Sequence, residues 1–149
     1  MKKMILFFTA LISLSVSCKK DTIEIEPKSQ WVVDGITYQG PALTHPLGSA
    51  FDASDRAGNF ISINFSFNHM PKHSGGYSVK EWPIDTTQCR VTVRIVGGGS
   101  FINYTSVDST AEVFIYVSPQ GKLAASFSNI PLWYFATGET KTVSGRIEE

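Results

Sequence analysis

The chain carries few side chains whose type and spacing suggest chemistry. His69 and His73 stand four apart with Pro71 between them. Two imidazoles at that spacing converge on zinc when they share a helix face. Pro71 and the following Gly75-Gly76 make this stretch a loop, so a third ligand such as His45 would have to arrive from elsewhere. Asp52, Asp55 and Asn59 offer oxygens, but not in the Asp-x-Asp-x-Asp-Gly spacing that wraps calcium. Asp and Asn favour turns because their side chains bond local backbone, and a turn is the stronger reading. Gly97-Gly98-Gly99 is followed by strand-like sequence. A phosphate loop needs a helix whose first amides face the anion, so these glycines read as a hairpin turn. Gly-x-Ser-x-Gly is absent, and no Ser, His and Asp set stands out. Cys89 alternates with Val91, Val93 and Ile95. That places it among inward residues as a small hydrophobe. A nucleophilic cysteine needs a base and an exposed, electropositive setting. The expectation is a protein without catalytic residues, metal or cofactor.

The aromatic run Trp133-Tyr134-Phe135 is the one candidate for ligand binding. It follows Pro131 and precedes Gly138, which places it at the end of a sheet. Three consecutive aromatics cannot all face one core, because strand side chains alternate between faces. Either they present a surface for sugar or protein recognition, or they plug the open end of the fold.

The elements that would position these residues are strands. Trp31-Val32-Val33-Asp34-Gly35-Ile36-Thr37-Tyr38 places Asp-Gly between two β-rich runs, a strong hairpin signal, with Trp31 and Tyr38 anchoring the ribbon. Residues 40–48 contain Pro41 and Pro46 and read as loop, and 49–53 as a short strand. Residues 60–67 alternate Ile61, Ile63, Phe65 and Phe67 against Ser62, Asn64 and Ser66, one face buried and one wet. Further strands are expected at 77–80, 88–96, 101–107, 111–118, 123–130 (stopped by Pro131) and 140–148. No helical spacing follows residue 18. Short strands joined by Gly, Pro, Asn and Asp turns indicate an all-β fold. An antiparallel β-sandwich of about eight strands is expected, with a closed, lipocalin-like barrel as the runner-up.

The first residues have a different character. Lys2 and Lys3 precede an apolar run at 4–14, and small residues lead to Cys18. That is the order of a secretory signal, and the run is shorter than the roughly 20 apolar residues a spanning helix needs. It resembles a bacterial lipoprotein signal, although Ser15 stands where Leu is usual. The resemblance implies a signal-peptide helix over 1–17, cleavage before Cys18, lipidation of Cys18, a flexible tether over 18–29 and a β-domain over 30–149. Lys19-Lys20-Asp21 with Glu24 and Glu26 looks like the charged tether of Bacteroidota lipoproteins. The opening Trp31 to Tyr38 motif, Phe127 with Ile130, and Val143 with Ile147 resemble small Bacteroidota cell-envelope lipoproteins of domain-of-unknown-function type. Such a protein would sit in the cell envelope, at the outer membrane, facing the periplasm or the surface. Asp21-Thr22-Ile23, Asp85-Thr86-Thr87 and Asp108-Ser109-Thr110 look like the O-glycosylation sequon of that group, which nominates Thr22, Thr86 and Ser109.

Composition limits the partners. Of 149 residues, removal of the first 17 leaves 132, enough for one domain with its own core. Lys2 and Lys3 leave with them, so 11 basic residues face 13 acidic ones, a net charge of −2. Nucleic acid is a poor partner for such a chain, because phosphate binding needs a concentrated basic surface. With Cys18 committed to lipid, Cys89 has no disulfide partner. The expected function is non-enzymatic binding or a structural role at the envelope. The partners are the membrane, through the lipid anchor, and a glycan or an envelope protein. The alternative is a lipocalin-like carrier of a small apolar ligand.

Overall fold

In a computed structural model, residues 29–45, 49–66 and 69–149 are described. The signal, Cys18, Thr22 and the rest of the expected tether up to residue 28, and Phe67 lie outside the described residues, whereas Ser29, expected to end the tether, already begins a strand. Eleven strands follow one another: β1 (Ser29–Val33), β2 (Ile36–Gly40), β3 (Ala42–His45), β4 (Ala50–Ser54), β5 (Phe60–Phe65), β6 (Gly75–Val79), β7 (Gln88–Gly97), β8 (Ser100–Ser106), β9 (Glu112–Val117), β10 (Leu123–Tyr134) and β11 (Glu139–Glu148). Among the described residues no helix is long and apolar enough to cross a membrane.

The strands form one mixed sheet in the order β2-β1-β11-β10-β9-β6-β7-β5-β4-β3, with β8 pairing both β7 and β10. All pairings are antiparallel except β6 with β7. The expected all-β, sandwich-like class is observed, with eleven strands where about eight were expected and one parallel pair. The sheet is not a closed barrel. Its ends, β2 and β3, are successive along the chain with Pro41 between them, and they do not pair with each other. The two ends therefore meet, and the sheet curls back on itself. Gly40 sits at this corner, where a Cβ would lie 1.8 Å from the Ser54 carbonyl oxygen. Only glycine lets the two backbones come that close.

The curl brings two sets of inward residues into one core. Trp31, Val33, Ile115, Phe127, Val143 and Ile147 come from one half, and Phe51, Ile61, Ile63, Val91 and Val93 from the other. Trp31 is fully buried and stacks on Tyr38 at 5.8 Å, holding the first hairpin as its pattern indicated. Asp34 and Gly35 take positive φ at its turn, as a two-residue turn of the twisted ribbon requires.

Several local expectations are corrected. Residues 42–45, read as loop between prolines, form β3, because pairing with β4 outweighs the flanking breakers. The polar face expected over 60–67 is not wet throughout: Ser62 on β5 and Ser66 just after it are buried. Each hydroxyl has a partner, Ser62 Oγ donating to Asp52 and Ser66 Oγ to the Asp85 carbonyl, which offsets the cost of burial. Pro131 does not stop β10. The register shifts between Phe127 and Ile130, with Asn129 at φ 51°. Asn tolerates this left-handed conformation better than most residues. Past the bulge the strand leaves β9 for β8, and Pro131, at this irregular junction, keeps one bond through its carbonyl, which accepts from Val107 N at 3.2 Å. The continuation carries Trp133 and Tyr134 within the strand.

Candidate functional site

The bend in β10 decides where the aromatic run points. Beyond Pro131, Leu132 faces the core and is 1% exposed. Trp133 and Tyr134 are half-buried, and Phe135 begins the following turn at 82% exposure. Tyr134 packs on Tyr104 at 5.9 Å, while Trp133 meets Phe135 edge-on at 5.7 Å. Tyr134 thus belongs to the end of the core, and Trp133 with Phe135 forms a wall facing outward.

That wall is one side of a surface groove of about 250 Å³. The other side is Trp82, 70% exposed on the loop after β6. Tyr134, Glu81, Arg90, Asn103 and Thr105 complete the lining. Pairing of β7 with β8 and of β8 with β10 assembles it: Thr105 lies opposite Thr92 on one side and Trp133 on the other. Sequence reasoning found the Trp133 side and missed Trp82, Arg90, Glu81, Asn103 and Thr105. Trp82 beside Pro83 was a usable signal, a large aromatic in a segment without alternation.

The polar groups of the groove are lightly committed. The Arg90 guanidinium lies 5.6 Å from the centre of the Trp82 ring, and its Nε is shielded with no hydrogen-bond partner. Arg94, four residues further along the same face of β7, is held far more fully. Its guanidinium is stacked between Phe60 at 4.6 Å and Phe101 at 4.4 Å, and its Nε donates to Asn103 Oδ1 at 3.1 Å. Lys80, next to the groove, pairs with Asp108 at 3.7 Å.

The remaining nominated residues do not converge on a site. Cys89, on β7, is fully buried between β5 and β6, and burial pushes its thiol up to about 12. Its sulfur lies 4.0 Å from the Tyr77 carbonyl oxygen. Among the described residues no group of three His, Cys, Asp or Glu could hold a metal ion. Asp55 organises a turn, its carboxylate accepting from Ala57 N and from Asn59, whose own Oδ1 accepts from Val96 N. His45 and Ser62 both contact Asp52, at 3.3 Å and 2.5 Å. The imidazole is on the far oxygen from the hydroxyl, so it is not placed to deprotonate the serine. Gly98 and Gly99 form the β7–β8 turn at positive φ. Thr86 is exposed on a turn, whereas Ser109 is half-buried and its Oγ accepts from Ala111 N.

Two other surface features compare with the groove. Phe114 and Tyr116, exposed on β9, flank a shallower concavity of about 210 Å³ whose one cation, Arg146, is already paired with Glu148 at 2.8 Å. Lys141 sits between Asp34 and Glu139 at 3.1 Å and 3.0 Å, with Tyr104 below it at 5.3 Å. The Thr142 backbone N–H and Lys141 hold the Asp34 carboxyl below its ordinary range, and Lys141 followed by Tyr104 does the same for Glu139. This network fastens β11 to the first hairpin. Comparison with protein-family profiles, characterised proteins and solved structures returns no match to this chain.

Proposed function

We propose that this protein is a lipid-anchored cell-envelope protein whose β-domain acts by binding, without catalysis, through the aromatic groove. The observation that carries this reading is the groove's composition and place. Trp82 and Phe135 are 70% and 82% exposed although the fold has a well-packed core available. Large aromatics held open beside polar groups are what recognition surfaces use.

The position of the groove fits an anchored protein. The described chain enters the fold at Ser29, whose hydroxyl bonds the Glu148 backbone, and Glu148 lies opposite Ala124. The groove lies where Tyr134 pairs with Glu139, at the other end of the same ladder. Ten residues of β10 separate the two ends, roughly 30 Å at about 3.3 Å each. A lipid on Cys18 would tether the chain from the Ser29 end and leave the groove, at the far end of the ladder, free to meet a glycan or an envelope protein. Packing of Ile61, Ile63 and Phe65 into the shared core favours this reading over a carrier of a small apolar ligand.

The test has two arms. Cys18→Ala should prevent acylation and release the chain to the soluble fraction; a variant that still labels with a palmitate analogue contradicts the anchor. The same soluble full chain should adsorb to intact cells deleted for the protein, and a further Trp82→Ala change should abolish that adsorption. Adsorption indifferent to Trp82→Ala contradicts the groove.

A further inference from the structure

Resting on the groove as the binding surface, we infer that its ligand is a neutral saccharide, one ring of which lies between Trp82 and the Trp133–Phe135 wall. The volume, about 250 Å³, is below the roughly 300–1,000 Å³ of pockets that enclose a drug-sized molecule. A groove of that size takes one ring of a saccharide rather than a whole drug-sized molecule. A pyranose has a C–H face and a rim of hydroxyls. The negative faces of aromatic rings attract the C–H face, and the rim needs donors and acceptors close together.

The groove supplies both. Arg90 donates, the Glu81 carboxylate accepts, and Thr105 can do either. Asn103 uses its Oδ1 for Arg94, which leaves its amide N–H groups to donate. Among the described residues no ion pair engages Arg90 or Glu81. Arg90 instead rests against Trp82, which leaves its terminal N–H groups to donate to a hydroxyl.

Charge favours the neutral class. Arg90 and Glu81 cancel within the groove; beside it Lys80 pairs with Asp108, and the Arg94 guanidinium is turned away between Phe60 and Phe101. A uronate would gain Arg90 and meet Glu81 as a like charge. A ligand rich in vicinal hydroxyls uses both side chains, with no charge left over. The second open aromatic pair, Phe114 and Tyr116, has no such set: its arginine is occupied by Glu148.

The experiment is isothermal titration of the detergent-solubilised full chain with cellohexaose, mannohexaose and maltohexaose, and with hexagalacturonate as the acidic probe. At least one neutral hexasaccharide should bind, with affinity changing less than about twofold between about 50 and 500 mM NaCl, since no net charge is neutralised. Trp82→Ala and Arg90→Ala should each weaken it by about tenfold or more, and Glu81→Gln, which keeps one acceptor oxygen, by less. Binding of hexagalacturonate alone, weakening steeply with salt, overturns the neutral class and leaves the groove standing. If no hexasaccharide binds while Trp82→Ala still abolishes adsorption to cells, the saccharide is overturned and the groove survives. If neither measurement responds to Trp82→Ala, both readings fall.

Discussion

Replacing Cys89 separates two kinds of damage to the core. The side chain is fully buried, opposite Phe65 on β5 and Val79 on β6. Cys89→Ala removes one sulfur and leaves a small void, costing on the order of 1 kcal/mol from lost transfer and packing. Cys89→Ser nearly preserves the shape but introduces a hydroxyl. Its nearest acceptor, the Tyr77 carbonyl oxygen, is already 4.0 Å from the longer thiol, beyond the reach of a normal O–H···O bond. The unsatisfied hydroxyl should therefore cost about 1–3 kcal/mol, and serine should be the worse replacement despite its closer shape. Urea unfolding of the full chain should order the proteins wild type, Ala, Ser, and thermal melting should place the serine variant about 3–15 °C below wild type. A serine variant as stable as the alanine one would refute the argument, because the hydroxyl would then have a partner. Native thiol labelling gives a second check. A thiol pushed up to about 12 from an ordinary 9.0 has roughly a thousandfold less thiolate at pH 8, so labelling should be slow until denaturant opens the core.

Other perturbations have equally definite outcomes. Gly40→Ala drives a Cβ to 1.8 Å from the Ser54 carbonyl oxygen, so the β2–β3 corner must open; a loss of about 1–3 kcal/mol or more is expected, and an unchanged melting temperature would contradict the close approach. Trp31→Ala should cost about 3–5 kcal/mol as a buried aromatic truncation, read by the same melts. Asp34 and Glu139 have carboxyl groups held below their ordinary 3.8 and 4.5 by Thr142 and Lys141. Their folded values lie below the unfolded ones, so this stabilisation is fully present above the ordinary range and is lost as pH falls through the folded values. Melting temperature should drop on acidification below about pH 4.5, and Lys141→Met should flatten that drop; a slope unchanged by Lys141→Met would show that the network does not contribute.

Much of the fold was legible because the dominant signals are local. Alternation at Ile61, Ile63 and Phe65, and at Cys89, Val91 and Val93, correctly marked buried faces. Asp34-Gly35 marked the first hairpin, and the glycines after Val96 marked the β7–β8 turn. What escaped notice depends on contacts distant in sequence. β3 exists because β4 pairs with it, against the local preference of its flanking prolines. Pro131 looked like a stop because its missing N–H is a local fact, whereas the change of partner from β9 to β8 that tolerates it is a tertiary one. The site divided in the same way. Trp133 and Phe135 drew attention as a run, but Trp82 and Arg90 come from different elements, and only the curled sheet brings them to one groove.

The central claim is that the groove binds and is not part of what holds the fold together. The most direct test is the Trp82→Ala/Phe135→Ala double variant, measured for adsorption to cells and for melting temperature in the same preparation. Both side chains are mostly exposed, at 70% and 82%, so their combined removal should cost no more than about 2–3 kcal/mol from the area they cover. Adsorption should fall by about a hundredfold if each ring contributes as a recognition anchor. Full adsorption in a well-folded double variant, or a collapse in stability matching that of Trp31→Ala, would contradict the account.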